Sequence, residues 1–257
     1  MHRLRDKTAL ITGAGRGIGA AIADAFVDEG ARVFLAELDP AAGADKAAQL
    51  RARGAVAYAR TCDVADAAAV QATVAAAHAA LGPIDIVVNN AGVNVFCDPL
   101  AMSEADWRRC LAIDLEGALH TMRAVLPSML ERGAGAVVNI ASVHAFSIIP
   151  GCFPYPVAKH ALLGLTRALG IEYAARGIRV NAIAPGYIDT QISRDYWAGF
   201  PDPEAQRSRA AELHPPRRLG RPQEVAMTAV FLASDEAPFI NASVITIDGG
   251  RSVMYHD

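Results

Sequence analysis

Short apolar runs recur along the chain and alternate with longer stretches in which alanine, leucine and charged residues mix. The runs are Thr8–Thr12, Arg32–Ala36, Val56–Arg60, Ile84–Val88, Ala136–Ile140, Ile178–Ala182 and Ser243–Ile247. Each is five residues long and carries little charge. A strand covered on both faces must be apolar on both sets of alternating side chains, so these runs predict buried parallel strands. The stretches between them carry helix signals. Ile18–Glu29 places Ile22, Ala25 and Phe26 on one face and stops at Gly30. Asp39-Pro40 reads as an N-cap and first helical residue for a segment that reaches Arg53 before Gly54. Ser103-x-x-Asp106 opens a helix through Trp107 to Leu130, and Tyr155–Arg176 is a long helix closed by Gly177.

Strand and helix in strict alternation predict an α/β fold with a parallel sheet and right-handed crossovers. Nothing in the sequence marks a linker or a repeat, so residues 1–257 are expected to form one domain. Only Tyr187–Arg221 departs from the pattern. It is rich in proline, arginine and aromatic residues and reads as a helical excursion over a substrate site.

Composition narrows the class. With 257 residues, 53% of them hydrophobic, the chain can bury a large core and needs no disulfide or metal to hold it. A net charge of −3 argues against a nucleic-acid surface. Cys62, Cys97, Cys110 and Cys152 form no CxxC pair and have no zinc-ligand spacing, which suits a reducing compartment. The opening MHRLRDKTALITG is charged, and its apolar run Ala9–Ile11 is too short for a signal peptide. No stretch approaches the ~18 apolar residues of a membrane span. The expected location is the cytoplasm.

Candidate chemistry begins where the first strand ends, in Thr12-Gly13-Ala14-Gly15-Arg16-Gly17-Ile18-Gly19. Glycines between a strand and a helix let the backbone turn tightly and approach a pyrophosphate, which the positive helix N-terminus holds. The spacing is GxxxGxG rather than GxGxxG. Glu37, followed by Leu38, ends the second strand, where an acid can accept from the adenosine ribose hydroxyls and repel a 2′-phosphate. That favours NAD over NADP. Arg16 pulls the other way, because it can pair with that phosphate. Asp63, after the third strand, is either an adenine contact or a helix N-cap.

Tyr155-Pro156-Val157-Ala158-Lys159 puts a phenol and an ammonium on one helix face, about 6 Å apart at Cβ. A free tyrosine titrates near 10, too high for a base near neutrality, and a neighbouring ammonium favours the phenolate. Tyr155 can then exchange a proton with a substrate hydroxyl or carbonyl. Lys159 can also hold a nicotinamide ribose. Ser142 follows the strand Ala136–Ile140 at its carboxyl end, where open α/β sheets bind ligands.

Taken in order, TGAGRGIG at 12–19, Glu37, Asp63-Val64, Asn89-Asn90-Ala91-Gly92, Ser142, Tyr155 with Lys159, Asn181-Ala182 and Pro185-Gly186 resemble the short-chain dehydrogenase/reductase family over nearly the whole chain. The resemblance implies a Rossmann-like, doubly wound sheet of about seven parallel strands with helices on both faces. It also implies a nicotinamide cofactor, no metal, and usually a homotetramer. Asn90, Ala91 and Gly92 would support the adenosine side of the cofactor and the central sheet. Pro185, Gly186, Ile188 and Thr190 would line the nicotinamide. Ser142 would orient the substrate oxygen, Tyr155 would be the acid/base and Lys159 would tune it. One position departs from the family: Asp114 stands where an asparagine usually helps hold a proton-relaying water. Its carbonyl keeps the relay, while its charge is expected to raise the Lys159 pKa and alter the tuning of Tyr155.

For the substrate end the candidates are His144, Phe146, Cys152, Phe153, Tyr187, Tyr196, Trp197, His214, Arg217 and Arg218. The aromatics can stack on a sugar or simply pack a lid. The arginines can clamp a carboxylate or form a solvated helix face. The tail from Arg251, with Tyr255 and His256, can approach a neighbouring subunit's site. The polar set favours dehydrogenation of a sugar, sugar acid or polyol. The alternatives are an NADP-dependent 3-oxoacyl-thioester reductase, an enzyme of apolar alcohols such as steroids, or a catalytically silent cofactor-binding relative.

Overall fold

A computed structural model describes residues 2–255. Its main sheet has seven parallel strands: β1 (Thr8–Thr12), β2 (Arg32–Glu37), β3 (Ala57–Thr61), β4 (Ile86–Asn89), β6 (Gly135–Ile140), β8 (Ile178–Pro185) and β9 (Val244–Ile247). A separate antiparallel pair joins β5 (Phe96–Cys97) to β7 (Phe153–Pro154). The order in the main sheet is β3-β2-β1-β4-β6-β8-β9. The chain thus builds outward from β1 in one direction and then returns to its other side with β4. Between β1 and β4 the two following connections diverge, leaving a crevice at the carboxyl ends of the strands.

The helices are α1 (Gly17–Asp28), α2 (Pro40–Ala52), α3 (Ala67–Leu81), α4 (Glu104–Leu111), α5 (Gly117–Arg132), α6 (Tyr155–Tyr173), α7 (Gln191–Ala198), α8 (Pro203–Glu212) and α9 (Pro222–Ala233). The alternation within each strand divides the core in two. Ile11, Val33, Leu35, Val88 and Val138 pack with Ile22 and Phe26 of α1, Leu50 of α2 and Val230 of α9. Leu10, Phe34, Val87 and Val137 point the other way and pack with Val74 of α3, Met122 and Val125 of α5, and Leu162 of α6. The inner strands β1, β2, β4, β6 and β8 are buried on both faces, which is why they read as apolar runs, while the outer strands β3 and β9 are partly exposed.

Several boundaries differ from the sequence reading. β3 and β9 start one residue later, and β4 starts at Ile86 rather than Ile84. Asp85, just before β4, is occupied elsewhere: its carboxylate accepts the Thr8 N–H at 2.9 Å. β8 runs on to Pro185 because β9 pairs with Ala182–Pro185. Asp39 caps α2 by accepting from the Ala41 and Ala42 amides, and Ser103 caps α4. The helix expected from Trp107 to Leu130 is broken into α4 and α5 by a π-helical turn over Ala112–Glu116. Such turns push a backbone bulge out of an otherwise regular helix and cluster at functional sites. Here the turn carries Asp114 inward. Tyr187–Arg221 forms α7 and α8 with their flanking loops. Among the described residues no helix is long and apolar enough to cross a membrane.

Candidate active site

One cavity of about 600 Å³ lies across the carboxyl ends of β2, β1, β4, β6 and β8. Gly13, Arg16, Gly17 and Ile18 form its wall at the N-terminus of α1. Gly13 has φ +61°, and a Cβ there would lie 2.9 Å from Ala91 Cα. Only glycine allows β1 to turn this close to the loop after β4. Asn90 locks that approach by donating from Nδ2 to the Thr12 and Gly13 carbonyls, at 3.0 and 2.9 Å. The start of α1 has no side-chain cap and no acidic residue in its first turn. Its amides and dipole therefore face the cavity uncompensated, the arrangement that takes a phosphate anion. The residues present fit a dinucleotide on that ground.

Gly15 and Gly19, counted with the cofactor site in the sequence, do not line the cavity. The Gly15 N–H donates to Glu37 Oε2 at 2.8 Å. A Cβ at Gly19 would sit 2.2 Å from the Gly13 carbonyl oxygen, so this glycine closes helix onto strand. Glu37, Leu38 and Asp39 form the cavity edge beyond β2. Glu37 Oε1 also accepts from the Asp39 N–H at 3.2 Å, so the carboxylate is fixed at both oxygens. Arg16 is ion-paired with Asp39. Its guanidinium thus already has an anion, and the phosphate-binding role considered for it has to compete with that partner. Asp63 and Val64 are also outside the cavity lining. Asp63 accepts from Ala65 N–H at 2.9 Å, and the cap of α3 is Asp66 instead. Val64 is buried, its carbonyl bonded to His120 Nδ1 at 3.0 Å, and packs against Gly117.

At the middle of the cavity, the first turn of α6 presents Tyr155 and Lys159, with Pro156 in the turn where an N–H is dispensable. Ser142 follows β6 and accepts the His144 N–H at 3.2 Å. Lys159 is buried, with Nζ 3.1 Å from Asp114 Oδ1 and 3.3 Å from the Ile140 carbonyl. An ammonium has three donors, so one remains for the cavity. The same nitrogen lies 5.5 Å from the Tyr155 ring centroid. Asp114 is fully enclosed by the π-helical turn and also accepts from the Val93 N–H at 3.2 Å.

The electrostatics differ from the sequence reading at one residue. Burial pushes the Tyr155 phenol above its ordinary pKa, the Lys159 charge and the Ser142 hydroxyl pulling it back and the Asp114 charge adding to the rise. Spacing alone had indicated a net fall, because it registers the lysine and not the enclosure. For Lys159, burial pulls the pKa down, but Asp114 and Tyr155 outweigh it and hold the ammonium above its usual value. That is the direction expected of an aspartate at this position. Burial likewise raises Asp114 against the opposing pull of Lys159. It also pushes the adjoining Cys110 thiol up to about 12, with Asp114 adding to the effect.

Beyond Tyr155 the wall is formed by His144, Tyr187, Tyr196 and Trp197, with Ala91, Gly92, Pro185, Gly186, Ile188 and Thr190 completing the central part. The His144 ring stands edge-on to Tyr155 with centroids 6.0 Å apart, and its buried Nδ1 has no hydrogen-bond partner. Burial lowers its pKa, helped by the charge of Arg251. Phe146, Cys152, Phe153, His214, Arg217 and Arg218 are not part of the lining. Phe146 points to solvent, and Phe153 stacks on Trp107 at 6.0 Å. Arg218 spends its fork on Glu224, with bonds of 2.8 and 2.6 Å, and Arg217 is exposed, so neither clamps a ligand in the cavity. Besides Arg16, the arginine that lines it is Arg251. His256 lies outside the described residues. Asn94, Phe96, Gln191 and Asp195 line the cavity and were not anticipated. Asn94 and Phe96 continue the Asn90–Gly92 loop past a strand's carboxyl end, which was the available signal.

The chain matches the family described as Enoyl-(Acyl carrier protein) reductase over residues 13–252. It is 41% identical over 251 residues to the D-threitol dehydrogenase of Mycolicibacterium smegmatis (strain ATCC 700084 / mc(2)155), covering 98% of this chain and 95% of that one. It is 41% identical over 253 residues to the 2-keto-3-deoxy-L-fuconate dehydrogenase of Xanthomonas campestris pv. campestris, covering 97% and 81%. The ligand-free aldohexose dehydrogenase of Thermoplasma acidophilum superposes with a TM-score of 0.90 at 34% identity, covering 100% of this chain and 98% of that one. With the sheet order, the glycine turn at the head of α1, and Ser142, Tyr155 and Lys159 on one cavity wall, these similarities make the chain a member of the short-chain dehydrogenase/reductase family of oxidoreductases.

Proposed function

We propose that the protein is an NAD-dependent dehydrogenase that interconverts a secondary alcohol and a ketone on a polyhydroxylated substrate: a sugar, sugar acid or polyol. The observation that carries the reading is the composition of the cavity across the strand ends. Glu37 edges it at one side, Ser142, Tyr155 and Lys159 stand at its centre, and hydrogen-bonding groups alternate with aromatic rings beyond them. Rings offer flat apolar faces to C–H bonds, and Asn94, His144, Gln191 and Asp195 offer donors and acceptors to hydroxyls. Relatives named for threitol and 2-keto-3-deoxy-L-fuconate support the substrate class.

The residues carry the reaction as follows. Gly13, Gly17 and the head of α1 would hold the pyrophosphate, Glu37 would accept from the adenosine ribose hydroxyls, and Lys159 would donate to the nicotinamide ribose. A nicotinamide held there would supply hydride exchange with the carbinol carbon. Ser142 orients the reacting oxygen. Tyr155 takes the hydroxyl proton in oxidation and returns it in reduction, while Lys159 stabilises the phenolate. Asp114 keeps Lys159 charged and placed. Residues 187–221, as α7 and α8, form the lid of this single domain through Tyr187, Tyr196 and Trp197. NAD is favoured because two carboxylates, Glu37 and Asp39, meet the position of a 2′-phosphate, and Arg16 is engaged by one of them. The exposed apolar side chains Ile171, Phe239 and Val253 support assembly with further copies, as a homotetramer. Native mass measurement reads that assembly directly.

The testing experiment is NADH or NADPH formation on a panel of alditols, aldoses, aldonates and simple secondary alcohols. NAD-linked turnover of polyhydroxy compounds supports the reading. Reduction of a 3-oxoacyl thioester with NADPH, and no polyol turnover, replaces it.

A further inference from the structure

The cavity contains a second arginine besides Arg16, and the two are in different states. Arg16 is taken by Asp39, whereas Arg251 forms no ion pair among the described residues. Arg251 is also held in place. Gly249 and Gly250 turn the chain with φ of +62° and +87° directly before it. Asp248, itself buried, accepts from Gly250 N–H at 2.9 Å and Ser252 N–H at 2.7 Å. The side chain then lies over Tyr187, with the guanidinium carbon 4.8 Å from the ring centroid. A guanidinium stacked on one face keeps its in-plane N–H fork free for a planar anion. His144, edge-on to Tyr155 and also in the cavity lining, has a buried Nδ1 without a partner. A charged donor and an unmatched imidazole nitrogen thus share the substrate end of the cavity.

We infer that Arg251 is a specificity-determining residue that pairs with a carboxylate on the substrate, and that the preferred substrate is a hydroxy acid. This rests on the dehydrogenase reading above. One guanidinium balances one carboxylate. A phosphate monoester brings nearly two charges, and the nearest acidic side chain in the lining of α7, Asp195, disfavours the excess. Arg251 acts in the chain's own cavity, and no neighbouring subunit is needed to supply it.

The test measures kcat/KM with NAD for paired probes of equal length: threonate with threitol, gluconate with glucitol, and galactonate with galactitol. Wild type is expected to favour at least one aldonate over its alditol. Arg251→Gln is expected to lower that aldonate-to-alditol ratio by about 10- to 100-fold, chiefly through KM, and Arg251→Lys to recover part of it. NADH binding by fluorescence checks that each variant is folded. Alditols turned over in preference to every aldonate, or a ratio that Arg251→Gln leaves in place, overturns the inference while the dehydrogenase reading stands. Neither series turned over, with a 3-oxoacyl thioester reduced instead, overturns both.

Discussion

The Lys159–Asp114 pair sets the charge balance at the centre of the cavity. An asparagine would leave Lys159 to lose its proton more easily under burial. The aspartate, 3.1 Å away, holds the ammonium and also raises Tyr155 through its own charge. Asp114→Asn should therefore lower the Tyr155 pKa. The rising limb of kcat/KM for oxidation should move to lower pH by about one unit, because the phenolate forms earlier. A pH–rate profile checks this, and an unmoved limb would make the acid incidental. Tyr155→Phe should cost about 10²- to 10⁴-fold in kcat with NADH binding retained, since only the proton transfer is lost. Glu37→Gln should raise the NADP-to-NAD ratio of kcat/KM by about 10-fold, having removed a negative charge while keeping an acceptor for the Gly15 N–H. That Ser142, Tyr155 and Lys159 share one cavity was legible in the sequence, because their spacing is local and their strand-end position follows from the fold. The place of Arg251 in the same cavity was not legible, for the opposite reason. Only the register of β9 beside β8 brings the last turn over Tyr187, and a chain read linearly places the arginine-rich stretch before α9 nearer the site.

The elements were legible where burial is symmetrical. The two-faced strands left unbroken apolar runs, and caps such as Asp39 and Ser103 fixed helix starts. Long-range pairing was not. The β5–β7 pair is two residues on each side and depends on Phe96 meeting Pro154 across the sequence. The π-helical turn was equally hidden, because Ile113–Gly117 has ordinary helical composition. At this scale Phe26→Ala should destabilise the fold by about 3–5 kcal/mol, as α1 loses its largest buried side chain, and thermal or urea unfolding reads the loss. The start of α9 offers a pH test. Arg218 bonds first, then the Arg221 N–H, lower the Glu224 pKa to about 2. A depressed carboxylate contributes stability that is present above its unfolded pKa near 4.3 and is lost as pH falls from there through about 2. Glu224→Gln should flatten the fall of Tm over that window. An identical fall in wild type and variant would show that other carboxylates set it.

For the whole molecule, the sheet order puts chemistry and recognition on one edge. The ends of five adjacent strands and the turns after them bring Glu37, Gly13, Asn90, Ser142 and Gly186 to a single crevice. The segment after β8, α7 and the turn at Arg251 complete its lining. The motif residues sit at strand ends, and so do His144 after β6 and Tyr187 after β8, which the sequence named together with Tyr196 and Trp197 of α7. Asn94 and Phe96 around β5, with Gln191 and Asp195 of α7, reach the lining only through the packing of segments distant in sequence, and were not read from it. The most direct test of the account is the initial rate of the purified protein with NAD and, separately, NADP across alditols, aldonates and aldoses. The account predicts turnover of a polyhydroxy secondary alcohol with NAD favoured over NADP. No turnover of any member with either dinucleotide, despite NADH binding, would contradict it.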